Sequence, residues 1–120
     1  MFATKDQLEN LGRLQKRSDF LRVQAAGRKW VSQSVIVQLA PNEGQGTRFG
    51  VTATKKLSKR AVGRNRIKRR LRAAACDVLP GAMPAHHDVV LIGRHATLDK
   101  PYTDLCNDLR WCLKRLQAEK

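Results

Sequence analysis

Apolar residues recur at two different spacings along this 120-residue chain, and each change of spacing marks a new element. Phe20, Leu21 and Val23 follow Ser18-Asp19 and precede Gly27. This pattern predicts a short helix with Ser18 as N-cap, Asp19 against the dipole and Gly27 as the stop. From Trp30 to Leu39 the spacing is two, with Val35, Val37 and Leu39 on one face and Ile36 and Gln38 on the other. The segment is rich in β-branched residues and predicts one strand, turned by the loop from Pro41 to Gly46. Phe49, Val51 and Ala53 then alternate with Arg48, Gly50 and Thr52, which predicts a second strand in an antiparallel hairpin with the first.

Between Lys59 and Leu79 the spacing becomes helical and puts Ile67, Leu71, Ala74, Ala75 and Val78 on one face. Ser58 is the expected N-cap and Pro80-Gly81 the stop, while Gly63 weakens the first turns by about 1 kcal/mol relative to alanine. Val89-Val90-Leu91-Ile92 is apolar on both faces, as a covered central strand requires. Pro101 opens a last helix, with Asp99 as expected cap and Leu105, Leu109, Cys112, Leu113 and Leu116 in one stripe. Trp111 borders that stripe and is expected in the core. Trp30, at a strand end, is left open between packing and stacking on a ligand. The order α-β-β-α-β-α predicts a single α+β domain, a two-layer sandwich over residues 1–120, with residues 1–12 as a flexible N-terminal tail.

Charge changes this picture from a fold to a partner. Twenty-four Lys and Arg stand against 10 Asp and Glu, a net charge of +14, which self-repulsion makes costly unless a polyanion is bound. No apolar run reaches the roughly 18 residues of a membrane span, and Met1 to Asn10 lacks the apolar stretch and cleavage site of a secretion signal, so a cytoplasmic protein is expected. Cys76, Cys106 and Cys112 are odd in number and form no C-x-x-C pair, which predicts reduced thiols and no metal site; His86, His87 and His95 do not supply the missing ligand pairs.

The charge is also concentrated. No acid lies between Glu43 and Asp77, an interval holding 11 of the 24 basic residues, ten of them in Lys55 to Arg72. Arg64, Lys68 and Arg72 repeat at i+4, as do Arg66 and Arg70, and like charges so placed destabilise a helix by about 0.2–0.5 kcal/mol per pair. A phosphate backbone turns that repulsion into attraction. Arginine exceeds lysine in Arg64 to Arg72, and its planar guanidinium holds phosphate bidentately and stacks on bases, which favours a structured RNA.

The run Lys55-Lys56-Leu57-Ser58-Lys59-Arg60-Ala61-Val62-Gly63-Arg64-Asn65-Arg66-Ile67-Lys68-Arg69 closely resembles the protein subunit of bacterial ribonuclease P, with its Arg-Asn-Arg triplet entering a basic helix after a Lys-Lys pair. Arg17-Ser18-Asp19-Phe20 with Val23, the Gly50-Val51-Thr52 strand, the late apolar strand and the Leu105/Leu109 helix follow the family's order, so the resemblance spans Arg13 to Leu116. It implies a basic helix in a left-handed β-α-β crossover. It also implies a protein that binds a catalytic RNA and, with it, removes the 5′ leader of precursor tRNA by endonucleolytic hydrolysis. The RNA would hold Mg²⁺ and do the chemistry, with no cofactor, metal, catalytic residue or obligate protein partner in the chain itself.

Carried over by residue, Lys55, Lys56, Arg60, Arg64, Asn65, Arg66, Lys68, Arg69 and Arg70 would meet the catalytic RNA. Lys16, Arg17, Phe20, Arg22 and Val23 would hold the single-stranded leader in a cleft between the first helix and the sheet. Gln24 and Gln38 stand where family members often carry aromatics, which shifts leader binding here toward charge and hydrogen bonding. Two readings compete: a structural RNA-binding protein such as a ribosomal subunit, and a stand-alone nuclease. The chain's dispersed acids form no carboxylate cluster for a two-metal site, and His86-His87-Asp88 reads as a loop before a strand.

Overall fold

Nine elements follow one another in a computed structural model that describes residues 11–14, 16–25, 28–42, 46–54, 59–80 and 87–118. They are β1 (Leu11–Arg13), α1 (Arg17–Ala25), β2 (Lys29–Val31), β3 (Val35–Pro41), β4 (Thr47–Thr52), α2 (Ala61–Val78), β5 (His87–Gly93), α3 (Ala96–Asp99) and α4 (Tyr102–Ala118). The strands form one sheet in the order β1-β4-β5-β3-β2. Of the expected N-terminal tail, residues 1–10 lie outside the described residues, while Leu11 and Gly12 belong to β1, paired in parallel with β4.

The expected hairpin between the second and third predicted segments does not form. β5 lies between β3 and β4, antiparallel to β3 with Val37 opposite Leu91, and parallel to β4 with Gly50 opposite Val90. The physical reason is β5's two-sided apolar character. In the middle of the sheet Val89 and Leu91 join the main core under α2 and α4, and Val90 joins a second cluster under α1. A strand apolar on both faces gains most where both are covered.

Trp30 to Leu39, expected as one strand, is itself a hairpin of β2 and β3, with Trp30 opposite Val37. The polar trio Ser32-Gln33-Ser34 breaks it. The Ser32 hydroxyl donates to the Val35 carbonyl at 2.7 Å and accepts from the Val35 N–H at 3.2 Å, a local serine turn that competes with the ladder.

The helical periodicities hold. α2 buries Ile67, Leu71, Ala74, Ala75 and Val78, and α4 buries Leu105, Leu109, Cys112, Leu113 and Leu116, together with Cys106. The expected N-caps at Ser18 and Asp99 do not. Ser18 lies inside α1, whose first turn closes on the Lys16 carbonyl. Asp99 ends the extra turn α3, and the Pro101 carbonyl accepts the first α4 bond from Leu105 N–H at 3.1 Å. α2 begins after Arg60 in extended conformation, with no side-chain cap. Ser58 and Gly27 lie outside the described residues. Trp111, expected in the core, is 44% exposed. Trp30 is half-buried and packs edge-on against it at 5.9 Å.

Candidate nucleic-acid interface

α1 lies across the face of the sheet opposite α2 and α4, anchored by Val23, which is fully buried with Leu14, Ala40 and Val90. Its other apolar residue on this face, Phe20, sits directly on Gly50 of β4. A Cβ added to Gly50 would stand 2.5 Å from Phe20 Cζ, so the ring's seat exists because that position has no side chain. Gly50 serves here by allowing close approach; among the described glycines only Gly46 has positive φ.

A second contact locks α1 to the sheet. Asp88, at the start of β5, is fully buried and accepts from Arg48 through Nε and Nη2 at 2.8 and 2.7 Å, from Asn42 at 2.8 Å, and from Arg22 of α1. Arg22 also donates to the Pro41 carbonyl at 3.1 Å. Burial alone would raise the Asp88 pKa, but the bonds from Arg48, Asn42 and Arg22 and the Arg48 charge outweigh it, and the carboxyl is held below its ordinary value. The bond to Asp88 correspondingly raises Arg48. This clamp was not foreseen. The signal was a lone carboxylate at the mouth of an apolar strand in a chain with few acids.

Between α1 and the sheet runs an open cleft. One stretch, of ≈ 420 Å³, has Arg17, Phe20 and Gln24 on the α1 side, Val51, Val90 and Ile92 on its floor, and Lys68 of α2 at its border. A second hollow shares Phe20 and Val51 and is bordered by Arg13 and Arg72. The cleft therefore combines an aromatic side chain, an apolar floor and cations from both helices.

The sequence-predicted residues separate on this frame. Arg17 and Phe20 line the cleft, and Lys16 is exposed without lining it. Arg22 points instead to Asp88, and Val23 is core, with no surface to offer a ligand. Arg60 just ahead of α2 and Asn65, Arg66 and Arg69 on it are exposed, and Arg64 is half-exposed with its guanidinium donating to the Lys59 carbonyl at 3.0 Å. Lys68 stands at the cleft. Arg70 donates to the Lys100 carbonyl at 2.6 Å and lies 6.0 Å over the Tyr102 ring, tying α2 to the start of α4. Lys55 and Lys56 lie outside the described residues. Gln24 borders the cleft, whereas Gln38 is buried in β3 opposite Val90, its Oε1 without a partner among the described residues.

Among the described residues no three His, Cys, Asp or Glu gather as metal ligands, and no helix is long and apolar enough to cross a membrane. The three cysteines are unpaired, and burial pushes the Cys112 thiol up.

Comparison with known proteins decides the family. The Ribonuclease P family profile matches residues 8–117. The chain belongs to the ribonuclease P protein family. Two members are the ribonuclease P protein components of Paramagnetospirillum magneticum, 46% identical over 113 residues covering 90% of this chain and 84% of the relative, and of Ruegeria pomeroyi, 45% identical over 111 residues covering 89% and 87%. The solved RNase P protein of Thermotoga maritima superposes with TM-score 0.73 at 26% identity, covering 86% of this chain and 96% of that one. A Staphylococcus aureus RNase P protein mutant with defective mRNA degradation activity gives 0.71 at 29% identity, covering 88% and 87%.

Proposed function

We propose that the cleft holds the single-stranded 5′ leader of precursor tRNA while the outward face of α2 binds the catalytic RNA. The observation that carries this is the composition of the cleft, in which Phe20 offers a stacking face and Arg17 and Lys68 supply cations from two separate helices. Base stacking on an aromatic contributes about 1–3 kcal/mol and tolerates any sequence, as a processor of many tRNAs needs. The exposed Arg60, Asn65, Arg66 and Arg69, with Arg64, Lys55 and Lys56, serve the catalytic RNA. Lys68 stands where the two RNAs meet and neutralises leader phosphates.

The protein's contribution is positioning and electrostatics, in the cytoplasm. Mg²⁺ held by the RNA supplies the hydrolytic chemistry, and the protein supplies no catalytic group. The test is reconstitution of 5′ leader cleavage with a bacterial ribonuclease P RNA at low Mg²⁺. Cleavage restored by the protein supports the reading. Failure to restore it, or cleavage by protein freed of all RNA, would overturn it.

A further inference from the structure

At the sheet edge away from β1, β2 is the outer strand and α4 packs beside it. Trp111 of α4 is the most exposed aromatic side chain among the described residues, and Val31 of β2 is as open, each 44% exposed. Both face a groove of ≈ 690 Å³ that Arg94 and Lys100 also line and that shares no residue with the cleft under α1. The Trp111 ring is braced edge-on by Trp30 at 5.9 Å and 74°, and the Arg115 guanidinium stands 5.8 Å from its centroid.

Charge marks this face as it marks α2. Arg110, Lys114 and Arg115 follow one another with no acid between Asp108 and Glu119. Asp108, the one acid bordering the groove among the described residues, is ion-paired with Lys100 at 3.0 Å and accepts from the Ser34 hydroxyl at 2.6 Å. A held indole with a guanidinium beside it meets the two parts of a nucleotide at once, base and phosphate. A second copy of this chain would bring +14 against +14, and repulsion opposes that pairing.

We infer that Trp111, with Arg115 beside its ring, forms a second RNA-contact site on which an unpaired base of the catalytic RNA stacks. The inference rests on the proposed partnership with that RNA but not on leader binding.

The test measures the affinity of a bacterial ribonuclease P RNA for the wild-type protein, Trp111→Ala and Trp111→Phe, alongside their melting temperatures. Trp111→Ala should weaken binding about 5- to 150-fold, the equivalent of the 1–3 kcal/mol of a stacked base, and Trp111→Phe should restore most of it. The preference for precursor over mature tRNA should not change. A folded Trp111→Ala that binds within about twofold of wild type, or a Phe variant as weak as the Ala variant, overturns the site. Trp30→Phe leaves Trp111 as the sole indole, so its emission reports directly should Trp111→Ala fail to fold: a change on saturation with the RNA supports stacking, and no change refutes it. Wild-type dimers in sedimentation that Trp111→Ala abolishes would reassign the face to a second copy. Wild-type protein that binds no ribonuclease P RNA would sink the proposed function instead.

Discussion

Replacing Gly50 by alanine tests how the cleft is built. The added methyl would lie 2.5 Å from Phe20 Cζ, 2.6 Å from Cε1 and 3.2 Å from Leu14 Cβ, so the ring has to leave its seat. Overpacking of this kind costs about 1–3 kcal/mol. With Phe20 already cut to alanine the two closest contacts are gone and Leu14 Cβ remains at 3.2 Å, so the ordinary gain of alanine over glycine within an element, about 0.5–1 kcal/mol, should reappear. The two substitutions should therefore couple by about 2 kcal/mol in a double-mutant cycle followed by urea denaturation. Because the same ring offers the stacking face, Gly50→Ala and Phe20→Ala should both reduce affinity for precursor tRNA while leaving mature tRNA untouched. Additive stability effects within about 0.5 kcal/mol would refute the seating of Phe20 on Gly50. Equal losses on precursor and mature tRNA would refute its contact with the leader.

Asp88→Asn should destabilise the protein by about 3 kcal/mol, since Arg22 and Arg48 lose the charge that satisfies them. Its folded pKa lies below the ordinary 3.8, so the unfolded chain takes up the proton first: the clamp's stability is complete above pH 3.8 and drains as pH falls further. Acid unfolding followed by circular dichroism should show that slope in wild type and lack most of it in Asp88→Asn; parallel curves would count against the clamp. Arg64→Ala with Arg66→Ala should weaken binding of the catalytic RNA yet change stability by under about 1 kcal/mol, read from affinity and melting in parallel. If about six phosphates are neutralised, log K for that RNA should fall with a slope near −5 against log salt, and a slope near zero would exclude a phosphate-dominated interface.

The helices were legible because their signal is local. Ile67, Leu71, Ala74 and Val78 share a face through 3.6-residue geometry alone, and the structure buries that face. Strand partners are not local. Nothing between Val35 and Thr52 says that β5, reached only after α2, will enter between β3 and β4; only the two-sided apolar run at Val89 to Ile92 hinted at a central place. The turn at Ser32 was hidden because two short strands in register read as one long one when the polar residues between them number only three. Trp111 was misplaced because a residue beside an apolar stripe lies near the helix boundary, where small rotations decide exposure. For the cleft, Arg17 and Phe20 were readable through the family's motif, but the depth of Val23, the turn of Arg22 toward Asp88 and the approach of Lys68 depend on how α1 crosses the sheet.

That crossing also corrects what a charge count means. Arg22 and Arg48 are bound to Asp88, Arg28 donates to the Leu116 carbonyl, Arg70 to Lys100 and Arg94 to the Ser32 carbonyl at 2.8 Å. These arginines staple helices, strands and loops together, and each uses the fork of donors that makes arginine suited to phosphate. A net charge of +14 therefore does not translate into that many RNA contacts. The cations best placed to serve RNA are those the fold leaves exposed, such as Arg66 and Arg69 on α2, Arg17 at the border of the cleft and Arg115 beside Trp111. The fold needs arginine to hold α1 at the angle that opens the cleft, so substitutions that remove charge from α1 and from α2 should fail differently. Loss of Arg22 should loosen the cleft along with the fold, whereas loss of Arg66 should spare the fold and cost only the RNA.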